Sequence, residues 1–438
     1  VALAAALSST VVYADPTTYT HLSGAKVVDI EAPNAAGVSH NLYREFNVDG
    51  NGLILNNSSS DIDHATFGNI AKNNNLTNGG ASVILNEVTS NKASSLNGFI
   101  EVAGLKADVV IANPNGITCS GCSFVNTNKA VLTTGQVNLT DEGAIGSYTI
   151  TKGKVTIGEK GMDASTSYAA LLADAVAING MVNAGSSVVG GGNFTFDNST
   201  GVMTSAGKTA TMLQMLNPVY SIDISSLGGI KANSISMVGN NLGFGVRNKG
   251  SITANSSLSM TNNGLLTNDG SITSNGLLTS IAASGNFTNN GTLTTKNLTK
   301  ITTYGALTNG SKGTISSTKQ LVLSAVGNLQ NSGTISATSN LIAASNGAIT
   351  NNAGAKITSG AQITATSIGN FTNAGTISGK NTVLNFVGSN FKNTGAISAT
   401  GKVTVKSLNQ DNTTNTGEIY NQGSMTGENI DMLTNGTL

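Results

Sequence analysis

The sequence predicts an all-β protein folded as a right-handed parallel β-helix, with three short strands in each coil and a repeat of about 20 residues. Three observations support this fold class. A phrase of the type Asn-x-Gly-x-Ile returns at a nearly constant spacing through the second half of the chain. Within each repeat, apolar residues alternate with polar ones over short runs. The 438 residues exceed what one ordinary core can organise, whereas stacked coils contact only their neighbours.

The repeat is visible as RNKGSIT, TNDGSIT, TNNGTLT, QNSGTIS, TNAGTIS and KNTGAIS. Eight glycines mark successive copies, and the gaps between them are 20 to 22 residues: Gly250, Gly270, Gly291, Gly313, Gly333, Gly354, Gly375 and Gly395. A period that persists this long is typical of a stacked-coil architecture. We expect these glycines to occupy corners where φ is positive.

One repeat, GNFTNNGTLTTKNLTKITTYG at 285–305, shows why strands are expected. Its Thr, Asn and Gly content opposes a helix, and its apolar residues alternate within short runs. At the strand spacing of about 4.8 Å, roughly 20 coils would form a rod on the order of 90–100 Å long.

Two interior columns should run along the helix axis. Five apolar residues hold the same place before the repeated phrase: Phe287, Leu307, Leu329, Phe371 and Phe391. Four asparagines within the phrase form the second column: Asn289, Asn331, Asn373 and Asn393. Stacked amides can hydrogen-bond along such an axis. A disordered Asn/Ser/Thr/Gly tract is the alternative, but disorder does not require regularly placed apolar residues.

Composition argues against several functions. Charged residues make up 10% of the chain, against about 25% in ordinary domains, and the net charge is zero. No electrostatic case exists for nucleic acid or for an anionic membrane.

An enzyme is the rival class, because β-helices can carry carbohydrate-acting sites. Glycoside hydrolysis needs two carboxylates, yet residues 233–410 contain one acidic residue, Asp269, and no histidine. The cluster Asp61, Asp63 and His64 could bind a metal, but an Asn/Ser-rich solvated turn is the favoured interpretation. We therefore predict no catalytic site, no metal and no cofactor in this chain.

The first 14 residues, VALAAALSSTVVYA, resemble the apolar core and cleavage site of a signal peptide whose start is missing. Cleavage would leave Asp15 as the first residue. A stretch of this length is too short to span a membrane as a helix. We expect the whole sequence to be a fragment of a longer exported repeat protein.

Residues 15–115 lack an obvious period but contain strand-like pieces at 26–30, 53–55, 82–85, 99–102 and 109–112. An open β-helix end invites edge-to-edge association, so an irregular N-terminal cap is expected here. Further along, the spacing of repeat phrases widens to 49 residues between Gly180 and Gly229. We place an insertion near 193–220, with an extra-helical hairpin that turns at Asn198–Gly201. Residues 168–176 are expected to form a buried strand.

The segment VVIANPNGITCSGCSF at 109–124 combines a turn with a cysteine pair. Asn113, Pro114, Asn115 and Gly116 fit a β-turn with Asn first, Pro second and Gly fourth. Cys119 and Cys122 lack the second ligand pair of a zinc site and the βαβ setting of a thioredoxin-like centre. A small disulfide in an exported protein is favoured.

Three segments of the sequence resemble a known family. NLYREFNVDGNGLILNNS at 41–58, VILNEVTS at 83–90 and the stretch from 96 to 124 resemble the two-partner secretion domain that begins filamentous haemagglutinin-type exoproteins. The cysteine pair after Asn-Pro-Asn-Gly most resembles contact-dependent growth inhibition exoproteins of the CdiA type. Many haemagglutinin-type members carry an upstream Asn-Pro-Asn-Leu turn, where this sequence reads EVTSNKASSLNG.

The resemblance implies a division of labour along the chain. Residues 15–240 would be the export-recognition domain, and residues 241–438 the first repeats of a β-helical stalk. The partner would be an outer-membrane barrel transporter that recognises the domain in the periplasm of a Gram-negative bacterium. The mature protein would be secreted or held at the cell surface. The parent is expected to deliver a growth-inhibition toxin to a receptor-bearing target cell, with an adhesin as the alternative.

Overall fold

The computed structural model describes residues 15–205, 207–409, 411 and 413–438; the expected signal-peptide remnant at 1–14 lies outside them. The described residues form 49 strands and one short helix. The first part of the chain consists of β1 (Thr18–Thr20), β2 (Lys26–Asp29), β3 (Val38–Tyr43), β4 (Leu53–Asn57), β5 (Ile62–His64), β6 (Gly68–Ile70), β7 (Val83–Val88), β8 (Ser94–Leu96), β9 (Phe99–Gly104), β10 (Ala107–Ala112), β11 (Ile117–Cys119), β12 (Cys122–Val125), β13 (Thr127–Thr133), β14 (Gln136–Leu139), β15 (Ile145–Ile150), β16 (Lys154–Ile157), β17 (Met162–Ala173), β18 (Ala175–Ile178), β19 (Met181–Gly191), β20 (Phe194–Asp197), β21 (Met203–Ser205), α1 (Met212–Leu216), β22 (Tyr220–Ile224) and β23 (Gly229–Gly239).

The repeat region continues without a helix among its described residues. Its strands are β24 (Gly245–Asn248), β25 (Ser251–Asn262), β26 (Leu266–Asn268), β27 (Ser271–Ser274), β28 (Leu278–Ala283), β29 (Phe287–Asn289), β30 (Thr292–Thr295), β31 (Leu298–Thr303), β32 (Leu307–Asn309), β33 (Thr314–Ser317), β34 (Leu321–Ala325), β35 (Leu329–Asn331), β36 (Thr334–Ala337), β37 (Leu341–Ser345), β38 (Ile349–Asn351), β39 (Lys356–Ser359), β40 (Gln362–Ser367), β41 (Phe371–Asn373), β42 (Thr376–Gly379), β43 (Asn381–Phe386), β44 (Asn390–Asn393), β45 (Ala396–Ala399), β46 (Lys402–Ser407), β47 (Glu418–Asn421), β48 (Ser424–Thr426) and β49 (Asn429–Leu433).

Each coil of the repeat region contributes three strands that pair in parallel with the next coil. The coil containing β26, β27 and β28, for example, pairs strand for strand with β29, β30 and β31. One strand per coil builds a 14-stranded sheet, while the other two belong to a 29-stranded sheet. The predicted parallel β-helix with three strands per coil is confirmed.

The helix has about 15 turns, fewer than the roughly 20 expected from the length of the chain. Several N-terminal coils are longer than the repeat because they carry excursions. Ile117 pairs with Val155, and Val176 pairs with Ile222, so these coils consume 38 and 46 residues. At about 4.8 Å per turn the rod is on the order of 70 Å long.

The interior is a column of apolar side chains stacked through the parallel register. The five predicted residues lie in it and are at most 1% exposed. Pairing inserts Ile349 between Leu329 and Phe371 and extends the column to Val246 and Leu266 on one side and Ile419 on the other. Burial of such side chains stabilises the fold by roughly 25 cal/mol per Å² of apolar surface.

An asparagine column runs beside the apolar one and has nine members, of which four were named from the sequence. Each side-chain amide donates to the side-chain oxygen of the asparagine in the next coil at 2.8–2.9 Å. The members are Asn248, Asn268, Asn289, Asn309, Asn331, Asn351, Asn373, Asn393 and Asn421. The same amides also donate to backbone carbonyls, so their buried donors are satisfied.

The expected reason for the repeat glycines was wrong. Among the eight, only Gly354 has a positive φ, at 78°. At Gly270 and Gly291, a Cβ atom would lie 2.1 Å and 2.0 Å from the carbonyl oxygen of the glycine one coil earlier. These positions require glycine because successive coils approach closely there, and side chains larger than hydrogen would collide with backbone.

The N-terminal coils begin earlier than their sequence suggested. The five strand-like pieces correspond to β2, β4, β7, β9 and β10, and these already stack in parallel. The cap consists of β1, which pairs antiparallel with β2. A hairpin of β5 and β6 lies outside the helix and was not predicted.

A second excursion is a four-stranded antiparallel sheet in the order β14, β15, β20 and β21. The predicted hairpin near 193–220 forms its outer half, with Phe196 opposite Met203 around the expected turn. The other half, β14 and β15, was missed. Tyr148 and Phe196 belong to a buried cluster that seats this sheet on the helix wall against Leu85 and Val131. Residues 168–176, expected to form one buried strand, belong to β17 and β18, which a bend at Asp174 separates.

Among the described residues, the single helix has five residues, and nothing helical is long and apolar enough to cross a membrane.

Candidate functional site

The turn after β10 is built around the buried side chain of Asn113. Its backbone carbonyl accepts from Gly116 N at 3.1 Å, which closes a β-turn. Its amide nitrogen donates to Lys92 O at 2.8 Å and to Ser94 Oγ at 2.9 Å. Its side-chain oxygen accepts from Asn115 N at 3.0 Å, an Asx-type contact that favours Asn at this place.

Asn115 ties the same turn to the preceding coil. Its side-chain amide donates to Ser90 O at 2.7 Å and to the Asn113 side-chain oxygen at 2.9 Å. Gly116 ends the turn with φ at 114°, a region that side chains rarely adopt, and its carbonyl accepts from Ser94 N. Together these residues hold the segment 90–94 against the turn.

The segment 90–94 is in turn held by the coil before it. Thr89 donates to Tyr43 O through its backbone N at 2.8 Å and through its hydroxyl at 3.1 Å. Tyr43 is buried, meets Phe46 edge to face, and donates its hydroxyl to Asn86. Burial raises the pKa of Tyr43 above the ordinary tyrosine value. Three successive loops, 43–46, 89–94 and 113–116, therefore form one continuous column, which we call the turn column.

Sequence reasoning identified the third loop of this column as a turn, but it predicted neither of the other two loops as its support. The middle loop lies where the resemblance expects Asn-Pro-Asn-Leu and where this chain reads Thr-Ser-Asn-Lys. Its carbonyls are bonded by side chains from the next coil, so local turn residues are not needed to satisfy them. No local sequence signal marks that cross-coil dependence.

Pro114 faces outward from the turn column. It is partly exposed and lines a surface groove of about 300 Å³ together with Val88, Gln136 and Lys152. The far wall of the groove comes from the four-stranded excursion sheet. The groove thus joins the outer side of the turn to the excursion.

Cys119 and Cys122 form a disulfide, with Cα atoms 5.4 Å apart. Both cysteines are buried in the main core, and the bridge spans the corner between β11 and β12. Gly121, inside the bridged corner, has φ at 82° and donates to Gly161 O. The bridge fixes the corner immediately after the turn column.

The cluster at 61–64 is structural in the described fold. His64 Nδ1 accepts from the backbone N of Thr66 and Phe67, so Nε2 carries the hydrogen donated to Glu101 at 2.6 Å. The ring stacks on Phe67. Asp61 accepts from Lys72 N. Across the described ranges, no group of three or more His, Cys, Asp or Glu side chains is placed to hold a metal ion.

Charged residues at the groove are Glu87 and Lys152, and the half-buried carboxyl of Asp108 lies on the neighbouring strand β10. Burial raises the pKa of Asp108, and the neighbouring Lys129 opposes that rise. Burial together with the Asp108 charge raises the pKa of Tyr148 beneath the excursion sheet. These groups lie between helix wall and excursion, where they affect how the sheet is seated.

The region that contains the turn column is similar to known proteins. Residues 7–273 match the family model described as the TPS secretion domain. The chain is 38% identical over 262 residues to "Toxin CdiA" of Yersinia pestis, covering 57% of this chain and 8% of that protein. It is 41% identical over 234 residues to "tRNA nuclease CdiA" of Yersinia mollaretii, covering 53% of this chain and 8% of that protein. The chain spans less than a tenth of the length of these curated relatives.

A solved structure of a filamentous hemagglutinin secretion domain is also similar. It superposes with a TM-score of 0.54 at 29% identity, over 67% of this chain and 93% of that domain. The resemblance drawn from the NPNG turn and its flanking words is thereby confirmed. Since the family model covers more than half of the sequence, this chain belongs to the TPS secretion domain family.

Proposed function

We propose that this chain is the N-terminal export-recognition domain, and the start of the β-helical stalk, of a large secreted exoprotein of a Gram-negative bacterium. The domain directs passage through a partner outer-membrane barrel transporter after entry into the periplasm. The observation that carries the proposal is the match to a secretion-domain family over residues 7–273.

The distribution of excursions supports a division near residue 240. The β5–β6 hairpin, the four-stranded sheet and α1 all lie within residues 62–216. From β24 to β46, the described coils carry no comparable excursion. Features specific enough for recognition are concentrated in residues 15–240, whereas the coils from β24 to β46 form a regular stalk.

The turn column is the proposed structural basis of recognition. Asn113, Asn115 and Gly116 use their polar groups to hold neighbouring coils together. Pro114 is left facing the groove beside the excursion sheet. The first three residues therefore hold the turn in the conformation that exposes Pro114. The Cys119–Cys122 bridge fixes the adjoining corner.

Folding outside the cell would follow from the stacking. Each new coil buries one more member of the apolar column and adds one bond to the asparagine column. An existing coil supplies the template, so later coils avoid a separate nucleation. Burial on the outer side biases movement outward, because a folded coil cannot return through a narrow pore.

The parent protein is proposed to deliver a growth-inhibition toxin to a target cell that carries a receptor. The favouring observation is the identity of 38–41% to relatives whose names include toxin and tRNA nuclease CdiA. A haemagglutinin-type adhesin is the second candidate, favoured by the likeness to the filamentous hemagglutinin domain. We assign no catalytic role to residues 15–438.

The proposal is tested by expressing the chain behind a working signal peptide, with and without the candidate transporter. We expect the chain in the medium only when the transporter is present. Retention in the periplasm in both strains would contradict the proposal. Release in both strains would indicate another export route.

A further inference from the structure

The helix α1 exposes an apolar surface that the fold itself leaves uncovered. Met212, Leu213, Met215 and Leu216 are 82%, 69%, 54% and 78% exposed, and no residue of the helix is buried. The remaining member, Gln214, turns back to the helix start, where its side-chain oxygen accepts from Thr211 N. The outward surface of α1 is therefore apolar throughout, which is unusual for a segment in water.

The helix is held in place at both ends. Before it, Ala210 N donates to Leu242 O, and Leu242 N donates to Lys208 O, both at 2.8 Å. After it, Gly245 N donates to Val219 O at 2.7 Å. Thr211 caps the helix by accepting from Gln214 N. The exposed side chains thus sit on an anchored support.

The segment that carries α1 contains no charged side chain that would suit an ionic ligand. Residues 209–222 contain no Asp, Glu, Lys or Arg. On one side, Lys208 is paired with Asp174 at 2.8 Å; on the other, Asp223 is paired with Arg247 at 2.8 Å. An uncharged apolar surface matches an uncharged apolar partner surface and excludes nucleic acid.

The shape of the surface selects among apolar partners. Met212, Met215 and Leu216 stand at positions i, i+3 and i+4, the spacing by which a short helix enters a groove. Five residues fall far below the roughly 20–30 per side of a stable interface, so the contact should be transient. Methionine side chains also adapt to irregular apolar surfaces.

Two other occupants fit less well. A second copy of this chain would need an apolar groove, but four surface grooves of the described residues contain charged side chains: Glu87 and Lys152, Asp163 and Lys231, Asp15 and Glu45, and Glu418. A membrane-surface helix is normally longer and bears cations on its polar face. Here the nearest cation along the sequence, Lys208, is already paired with Asp174.

We propose that α1 is a docking element that enters an apolar groove on the periplasmic part of the transporter. This inference rests on the proposed export function and adds the surface through which the chain is held. The transient character of the contact suits a protein that must be released into the pore.

The test is binding of the full chain to the purified periplasmic region of the transporter used for the export assay. The variant carries Met212→Ser, Leu213→Ser, Met215→Ser and Leu216→Ser. The control carries Leu227→Ser and Leu277→Ser, two apolar residues that are 72% and 90% exposed elsewhere on the helix. Circular dichroism and thermal unfolding of both variants should match the wild type, because the substituted side chains are exposed.

We expect the α1 variant to lose at least ten-fold in affinity and the control to stay within two-fold. Equal affinity of α1 variant and wild type would overturn the inference while leaving the export function intact. Absence of wild-type binding, together with transporter-independent secretion, would overturn both.

Two further readouts address the other occupants. The wild type and the α1 variant are also tested for binding to vesicles of phosphatidylethanolamine and phosphatidylglycerol. If the α1 variant loses binding to the vesicles but still binds the transporter, the partner of α1 is a membrane surface. If sedimentation shows that the wild type is dimeric and the α1 variant monomeric, the partner of α1 is a second copy of this chain. Either result would overturn the inference.

Discussion

The side-chain amide of Asn115 donates to the backbone carbonyl of Ser90, 2.7 Å away and one coil earlier in the helix. This contact makes the geometry of one coil depend on a side chain of the next. A backbone carbonyl that would otherwise need water or a local turn is satisfied across the stack. The turn after β10 is therefore part of the mechanism by which the first coils close.

Replacing Asn115 by Asp should open this contact. A carboxylate has no N–H to donate, and it would face the oxygens of Ser90 and Asn113. We expect faster amide hydrogen exchange confined to residues 89–95 and 113–117, measured by mass spectrometry. Exchange in the coils after 245 should not change, because a solenoid couples mainly nearest neighbours. A chain-wide increase would contradict this local role.

Removing one asparagine from the column should lower the free energy of unfolding more than removing an exposed asparagine beside it. In Asn309→Ala, the amide of Asn289 and the side-chain oxygen of Asn331 each lose a buried partner. The expected loss is about 0.5–1.5 kcal/mol for each of the two bonds removed, because Asn289 still donates to Gly291 O and Asn331 still accepts from Gly333 N. Asn290→Ala, at an exposed position, is the control. Urea unfolding monitored by circular dichroism would measure both, and equal midpoints would refute the column's contribution.

Two repeat glycines should respond differently to alanine. Gly291→Ala places a methyl group about 2.0 Å from the carbonyl oxygen of Gly270, so the coils must separate. Gly354→Ala meets nothing within 4 Å and should lose only about 1 kcal/mol from its φ of 78°. Thermal unfolding should show a much larger decrease for Gly291→Ala. The opposite order would mean that backbone conformation, and not coil contact, fixes these positions.

Loss of the disulfide should weaken the corner after the turn column. For so short a loop, removing the bridge in Cys119→Ser with Cys122→Ser should cost about 2 kcal/mol. The serine pair also places two polar hydroxyls in the buried core. Cys119→Ala with Cys122→Ala should therefore be less destabilising. Urea unfolding compares the pairs, with reduced wild type as reference. No change in any of them would show that packing alone holds the corner.

Stability should depend on pH through Asp108. The pKa of this carboxyl is raised above 3.8, chiefly by burial, so charging it disfavours the folded state. That penalty is fully present above the raised pKa and disappears as the pH falls below the ordinary value. Asp108→Asn should therefore melt at a higher temperature than the wild type at pH 7, with an advantage that shrinks toward pH 3.8. The same offset between Asp108→Asn and the wild type at every pH would contradict this role of Asp108.

The repeats could be predicted because their determinants are local. The spacing from Phe287 to Phe391 and the recurring Asn-x-Gly phrase gave the period, the strands and both columns. The reason for the glycines escaped prediction, since the oxygen that excludes a Cβ at Gly291 belongs to a residue 21 positions earlier. A sequence shows that glycine recurs, but not which contact requires it.

The four-stranded excursion sheet could be predicted only in part, because some of its paired strands are far apart in the sequence. Its outer hairpin was found from the turn at Asn198, whereas β15 pairs with β20 nearly 50 residues later. Asp141-Glu142-Gly143, flanked by the alternating runs of β14 and β15, was the local signal available for the missed hairpin. The exposed helix α1 had no predictive signature, because MLQML is equally suited to a buried core.

The most direct test of the account is transporter-dependent secretion of three variants in parallel: Pro114→Ala, Asn115→Asp and Asn309→Ala. Medium and periplasm would be assayed for each, and unfolding of the purified proteins would be measured alongside. We expect the two turn variants to fail to reach the medium while their repeat region unfolds like the wild type. Asn309→Ala should be less stable yet still be recognised. Secretion that followed stability across all three would contradict a recognition role for the turn and leave it a purely structural one.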